Sequence, residues 1–223
     1  MPRRPGTGAR RCATSSGPGD TRSWSWAWAA DATSPHLTND FDATAIDISE
    51  QMLEQSRRLN PGVEHLLGDM RTIRLDRKFG AVLIHDAVCH MLTESDLSKA
   101  FATAAAHLRP GGLLVTSPDY VKETFEDNKV GYACNSDGDL SMTYIEYEFD
   151  RDPNDTVYQS VIFYIMRRGS DPPLIEQDGH TLGLFPLNAW KRLLDRAGFD
   201  VEVRAFRLEG DLRQVHMFVG TLR

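Results

Sequence analysis

The feature that most constrains this chain is a unit that repeats between residues 41 and 117. It is a short apolar run that ends at or near an aspartate and is followed by a helix or turn. "FDATAID" (41–47) is the first such run, and "SEQMLEQSRRL" (49–59) follows as a helix with Ser49 as N-cap and Met52 and Leu53 facing inward. Pro61-Gly62 closes that helix, and "VEHLLGD" (63–69) is the next strand. "FGAVLIHDAV" (79–88) is a third, apolar almost throughout, as expected when helices cover both faces of a parallel sheet. Thr93 opens a helix with the polar turn "TESD", which runs through "LSKAFATAAAHL" to Arg109. Pro110-Gly111-Gly112 is a stop and "LLVTS" (113–117) the next strand. Alternating strands and helices imply right-handed crossovers and an open α/β sheet.

Past Pro118 the period changes. "LSMTYIEYEF" (140–149) and "TVYQSVIFYIM" (156–166) alternate as antiparallel strands do, joined by the turn-rich "DRDPND". "LNAWKRLLDRAGF" (187–199) is an amphipathic helix ending at Gly198. "DVEVRAFRLE" (200–209) and "RQVHMFVGTLR" (213–223) then form a hairpin around Gly210-Asp211. The expected fold class is α/β: a mostly parallel sheet with an antiparallel C-terminal hairpin and a strand insertion, over about 125–180, after the fifth core strand.

Residues 1–22 stand apart. They hold five arginines, one acid, four glycines and three prolines, whereas the remaining 201 residues carry a net charge of -11. Such a segment cannot bury enough apolar surface to order itself, so 1–22 is expected as a disordered or aberrant tail and 23–223 as one domain. Its Pro and Gly content works against an amphipathic transit helix. The overall charge of -7 argues against a nucleic-acid partner, and no run reaches the ~20 apolar residues of a membrane span. Cys12, Cys89 and Cys134 lack the spacing of a disulfide framework or zinc cage. These features point to a cytoplasmic protein, monomer or homodimer, that handles a small molecule.

Open α/β sheets bind ligands at the carboxyl ends of their strands. Asp47, Asp69 and Asp86 all belong there. An acid ending the second core strand can accept both ribose hydroxyls of a nucleotide, and an acid just past a strand can accept from an adenine amino group. The plainer alternative is that such aspartates cap the next turn. The stretches "FDATAIDISEQMLEQSRR", "VEHLLGDMRTI", "FGAVLIHDAVCHML", "HLRPGGLLVTSPD" and "WKRLLDRAGFDVEVRAF" are similar to class I S-adenosylmethionine-dependent methyltransferases of the small-molecule type. The resemblance implies a Rossmann-like sheet of order 3-2-1-4-5-7-6 and S-adenosylmethionine as cofactor. It also implies methyl transfer to a nitrogen or oxygen of a small molecule. By it, Asp47 takes the ribose, with Ile48 able to pack on the purine, Asp69 and Met70 border the adenine, and Asp86 with its neighbours to His90, Ala87 among them, the methionine and acceptor ends.

His90, just past the third strand, is the candidate general base, with packing or capping as its alternative. Tyr144, Tyr147 and Tyr158 are candidates for an acceptor pocket, although alternating aromatics in a hairpin are usually packing. His85, Asp86, His90 and Glu94 lack a settled metal-ligand spacing, so no metal is expected.

One segment departs from the family. Where it places a strand running into a G-x-G loop, this chain has "SWSWAWAADATSPHL" (23–37), with no glycine and three tryptophans. The plain reading is a strand with one bulky face. The genetic code offers another, because tryptophan is only TGG and alanine only GCN. One frame across, "WAWA" (26–29) must read Gly-x-Gly. With suitable serine codons at Ser23 and Ser25, residues 24–29 become Leu-Glu-Leu-Gly-x-Gly. Residues up to about Pro35 therefore read as partly translated from the wrong frame, which puts the activity of this exact chain in doubt. The alternatives are a non-catalytic or damaged nucleotide-binding protein, or an NAD(P)-dependent oxidoreductase, which would need a usable G-x-G-x-x-G.

Overall fold

The computed structural model describes residues 24–27, 42–207 and 214–223. The expected tail (1–22), most of the glycine-free segment and the tip of the final hairpin lie outside these. A seven-stranded sheet forms the core. Its strands are β1 (Trp24–Ala27), β2 (Ala43–Asp47), β3 (Glu64–Leu67), β4 (Phe79–Ile84), β5 (Leu108–Thr116), β10 (Phe199–Arg207) and β11 (Gln214–Leu222), in the order β10-β11-β5-β4-β1-β2-β3. Counting core strands alone, this is the order 3-2-1-4-5-7-6. β1 pairs in parallel with β2 on one side and β4 on the other, so the tryptophan-rich segment supplies an interior strand. β11 lies antiparallel between β5 and β10.

Helices α1 (Glu50–Leu59), α2 (Glu94–His107) and α3 (Leu187–Arg196) complete the core. The side chains of Ser49 and Thr93 cap α1 and α2 by accepting from the third residue on, Met52 N at 3.3 Å and Asp96 N at 3.1 Å. Leu53 is buried and Met52 half-buried, the inward pair expected of α1. Trp190 of α3 is buried in the main core, stacked on Phe218 at 5.0 Å and tilted against Phe101 at 5.8 Å.

Several boundaries differ from the sequence reading. The third strand stops at Ile84, and Asp86–His90 is a 3-10 turn in which Val88 and Cys89 are buried. Its apolar residues are thus explained by packing beneath the turn, not by strand pairing. α2 ends at His107, and Pro110-Gly111-Gly112 is not a stop before the strand but an irregularity within β5. Pairing with β4 jumps there from Phe79↔Leu108 to Ala81↔Leu113. Gly111 has φ +76, and a side chain at Gly112 would sit 2.8 Å from the Arg109 carbonyl oxygen. α3 likewise ends earlier, at Arg196, with Gly198 at φ +98 turning the chain into β10.

The insertion is a separate antiparallel sheet of four strands: β6 (Lys129–Asp137), β7 (Leu140–Phe149), β8 (Val157–Arg168) and β9 (Leu174–Gly183), paired in that order. β6 and β9 are the two the sequence did not reveal. They are edge strands with mostly exposed residues, so no apolar alternation was required of them. No helix of the described residues is long and apolar enough to cross a membrane.

Candidate active site at the carboxyl edge of the parallel sheet

The parallel strands β2, β3, β4 and β5 all finish on one edge of the sheet. β2 ends in Asp47, whose Oδ1 accepts from the Ser49 backbone N–H at 2.7 Å. This Asx turn fixes the carboxylate while Ser49 starts α1. Ile48, between them, is 70% exposed, a large apolar side chain uncovered at this edge. The Asp47 carbonyl accepts from Gly68 N at 2.9 Å, which ties the ends of β2 and β3 together.

Beyond β3, Asp69 is gripped by Arg71. The guanidinium donates to both carboxylate oxygens, at 3.0 and 2.7 Å, and the Arg71 backbone N–H adds a bond of 2.8 Å. The Arg71 bonds hold the Asp69 carboxyl below its ordinary range. The same guanidinium reaches Asp96 in the first turn of α2 at 3.3 Å, so the β3 loop and that helix are joined through one side chain. Met70 is half-buried against the core, beside a small apolar cavity lined by Ile46, Val82, Ile84 and Ala104.

Past β4, His85 Nδ1 lies 2.6 Å from Asp86 Oδ1 at the start of the 3-10 turn, and Ala87 is half-buried. The buried Cys89 ties this turn to the loop after β5: its thiol donates to Asp119 Oδ2, and the Asp119 backbone N–H donates to Sγ, both at 3.4 Å. Burial, and the Asp119 carboxylate next, push the Cys89 thiol well up, so it is a packing group rather than a nucleophile. His90 closes the turn. Partial desolvation, followed by the field of His180, lowers its pKa, while Asp119 and Asp47 oppose that.

The structure therefore brings Asp47, Ile48, Asp69, Met70, Asp86, Ala87 and His90 to one edge. Two of these carboxylates are also doing the local work that the plainer reading allowed: Asp47 makes a turn and Asp69 holds an arginine. Glu94 does not join a metal cluster; it pairs with Arg192 of α3 at 2.7 Å. Among the described residues no three His, Cys, Asp or Glu side chains converge as a cation site.

The insertion meets this edge through a few contacts. Tyr120, after β5, donates from its hydroxyl to the buried Glu148 of β7 at 2.6 Å, and its ring packs edge-on to Tyr158 of β8 at 5.6 Å. Tyr158 is thus turned into the core. Tyr144 and Tyr147 instead pair within the insertion, with Tyr164 and Phe149. Sequence reading missed Arg71, Asp119, Glu148 and His180. Asp119 follows the rule that picked out the other aspartates, since it lies just past a core strand. Arg71 grips Asp69 from only two residues away, whereas Glu148 and His180 meet the site through long-range contacts, which leave no local signal.

Residues 27–112 match a family model described as a methyltransferase domain. Over 97 residues the chain is 41% identical to dTDP-3-amino-3,4,6-trideoxy-alpha-D-glucopyranose N,N-dimethyltransferase of Streptomyces venezuelae, covering 43% of this chain and 41% of that protein. It is 27% identical over 169 residues to dTDP-3-amino-3,6-dideoxy-alpha-D-glucopyranose N,N-dimethyltransferase of Streptomyces fradiae, covering 75% of this chain and 65% of the relative. The matched part thus spans less than two thirds of either curated relative. The fold superposes with TM-score 0.80 on CalS10, an amino pentose methyltransferase from Micromonospora echinaspora solved with S-adenosylmethionine bound, at 23% identity and covering 91% of this chain and 84% of that one. The strand order, the acids at successive strand ends and these similarities agree: the chain has the Rossmann-like fold of the class I S-adenosylmethionine-dependent methyltransferases, and its residues 27–112 match a methyltransferase domain.

Proposed function

We propose that this chain transfers a methyl group from S-adenosylmethionine to the amino nitrogen of a small sugar, a nucleotide-linked deoxy-amino sugar being the class that the relatives' names suggest. The observation that carries this reading is the row of Asp47, Asp69, Asp86 and Asp119 at one edge of a sheet with this strand order. An acidic edge suits a cationic amine and a cationic sulfonium alike.

The residues fit the cofactor in three respects. The Asp47 carboxylate, with one oxygen engaged by Ser49, retains acceptor capacity for ribose hydroxyls. Ile48 offers an uncovered apolar surface to a purine. Asp69, although gripped by Arg71, has lone pairs left for an adenine amino group, and Met70 stands beside it. S-adenosylmethionine supplies an electrophilic methyl on sulfur. The chain's part is to hold an amine lone pair in line with it, exclude water and take up a proton. His90, at the end of the turn after β4, is the group we assign to the proton, and Asp86 and Ala87 border the methionine end.

The glycine-free segment limits this fit. β1 leads toward the same edge, and positions 27 and 29 are where the other frame would put the family's glycines. We infer that the reading frame there is altered and that this exact chain holds the cofactor more weakly than a version carrying Leu-Glu-Leu-Gly-x-Gly over residues 24–29. Where glycine would take positive φ, alanine or tryptophan costs roughly 1 kcal/mol or more per position. DNA sequence across codons 10–40 tests the frame directly.

The function is tested by incubating both proteins with S-adenosylmethionine and a dTDP-linked 3-amino-deoxy sugar, and reading the product by mass spectrometry. Methylated amine from the restored chain, and less from this one, is expected. A restored chain that binds the cofactor yet methylates only a hydroxyl, or nothing, contradicts the amine reading.

A further inference from the structure

His90 does not stand alone at the edge. The ring of His180, on β9, meets it edge-on, with centroids 6.2 Å apart and planes at 76°. Behind His180, Asp178 Oδ2 lies 3.5 Å from its Nε2. The two histidines are brought together by the way β9 is seated. A side chain at Gly183 would overlap the Met91 carbonyl oxygen and approach the Phe185 ring to 2.8 Å, so the strand end rests directly on the backbone next to His90. Thr156 Oγ1 clamps the same place by donating to the Leu92 carbonyl at 2.7 Å, and Leu184 N in turn donates to the Thr156 carbonyl at 2.7 Å.

We propose that His180 is a positioning residue for His90, holding its ring at the edge where the imidazole accepts the proton shed by the acceptor amine. This rests on the amine-methylation reading above. In that step the nitrogen lone pair forms a bond to the methyl carbon, and the C–S electron pair leaves with sulfur as a neutral thioether. The N–H electron pair remains on nitrogen as the proton passes to the imidazole nitrogen of His90 and then to solvent. A base already protonated cannot serve.

The charged groups facing His90 are divided. Asp47 from β2 and Asp119 from the loop after β5 favour the imidazolium, whereas His180 from β9 disfavours it. On His90's own turn, His85 and Asp86 are paired with each other. Without His180, the two carboxylates are left with only desolvation against them. A purely structural His180 would also uncover the His90 ring and raise its pKa on removal, so it is the return on restoring a cation that separates charge from packing.

The test uses the full chain, restored over residues 24–29 for the kinetics, and two variants of it. His180→Gln removes the imidazole, and His180→Lys restores a cation on a different frame. Histidine titrations followed by NMR without any ligand should show His90 titrating at higher pH in His180→Gln and returning toward the original position in His180→Lys. The kcat/KM for an amino sugar at about pH 6, relative to about pH 8.5, should fall roughly threefold or more in His180→Gln and recover in His180→Lys. An unmoved His90 titration overturns the pairing. A moved titration with an unchanged pH ratio overturns the proton role. Absence of methyl transfer in all three proteins counts against the amine-methylation reading instead, and the NMR comparison still decides the coupling because it needs no substrate.

Discussion

β4 in the parallel core is six residues long and four of them are buried, whereas β6 in the insertion is nine residues long and none is. The core is held by covered apolar surface: Trp190, Phe101, Phe185, Phe199 and Phe218 are all at most 1% exposed. The insertion is held by long hydrogen-bond ladders and by a few joints to the core, namely the Gly183 seat, the Thr156 clamp and the Tyr120–Glu148 bond. Its bare strands leave Tyr132 at 77% and Ile175 at 62% exposure. The contrast teaches where different properties reside. Stability belongs to the core, and the geometry around His90 depends on a small number of contacts that can be changed without emptying it.

The largest effect is expected where the core is densest. Trp190→Ala should lower unfolding free energy by about 3–5 kcal/mol, read by urea denaturation. A loss as small as a surface substitution would mean that burial is not what holds α3 to the sheet. Gly183→Ala should be milder in stability, about 1–3 kcal/mol, because the new methyl meets backbone and an aromatic ring. It should speed amide exchange in β9 and the Asp86–His90 turn more than in β4. Uniform acceleration would erase the distinction between the two regions.

Much of the core could be read from local rules, because local rules built it. Ser49 and Thr93 announce their helices by N-cap chemistry, and β7 keeps its expected span of 140–149. The apolar run 79–88 was misjudged because Val88 and Cys89 are as buried under a turn as they would be in a strand. β6 and β9 were invisible because an exposed edge strand asks little of its side chains. Of the candidate site, the strand-end aspartates were legible from their positions, but the grip of Arg71 on Asp69 and the approach of His180 to His90 arise only on folding.

The smallest expected effect is electrostatic. Arg71 holds the Asp69 carboxyl below its ordinary pKa, so the pair's contribution is present above the unfolded-state value and is lost as pH falls through the lowered folded-state value. Both partners are partly exposed, at 24% and 36%, so about 0.2–1 kcal/mol is expected. Asp69→Asn should therefore be less stable than the parent near neutral pH, with the gap closing in acid. A gap that widens in acid would reverse the assignment of sign.

The central claim is that the carboxyl edge beginning at Asp47 is the cofactor site. Calorimetric titration with S-adenosylmethionine tests it most directly, comparing the chain restored to Leu-Glu-Leu-Gly-x-Gly over residues 24–29 with the same chain carrying Asp47→Ala. Circular dichroism first establishes that both are folded. The account predicts a loss of about 1–3 kcal/mol in binding, since charge-assisted hydrogen bonds to the ribose are removed. Equal affinity in the two folded proteins would contradict it.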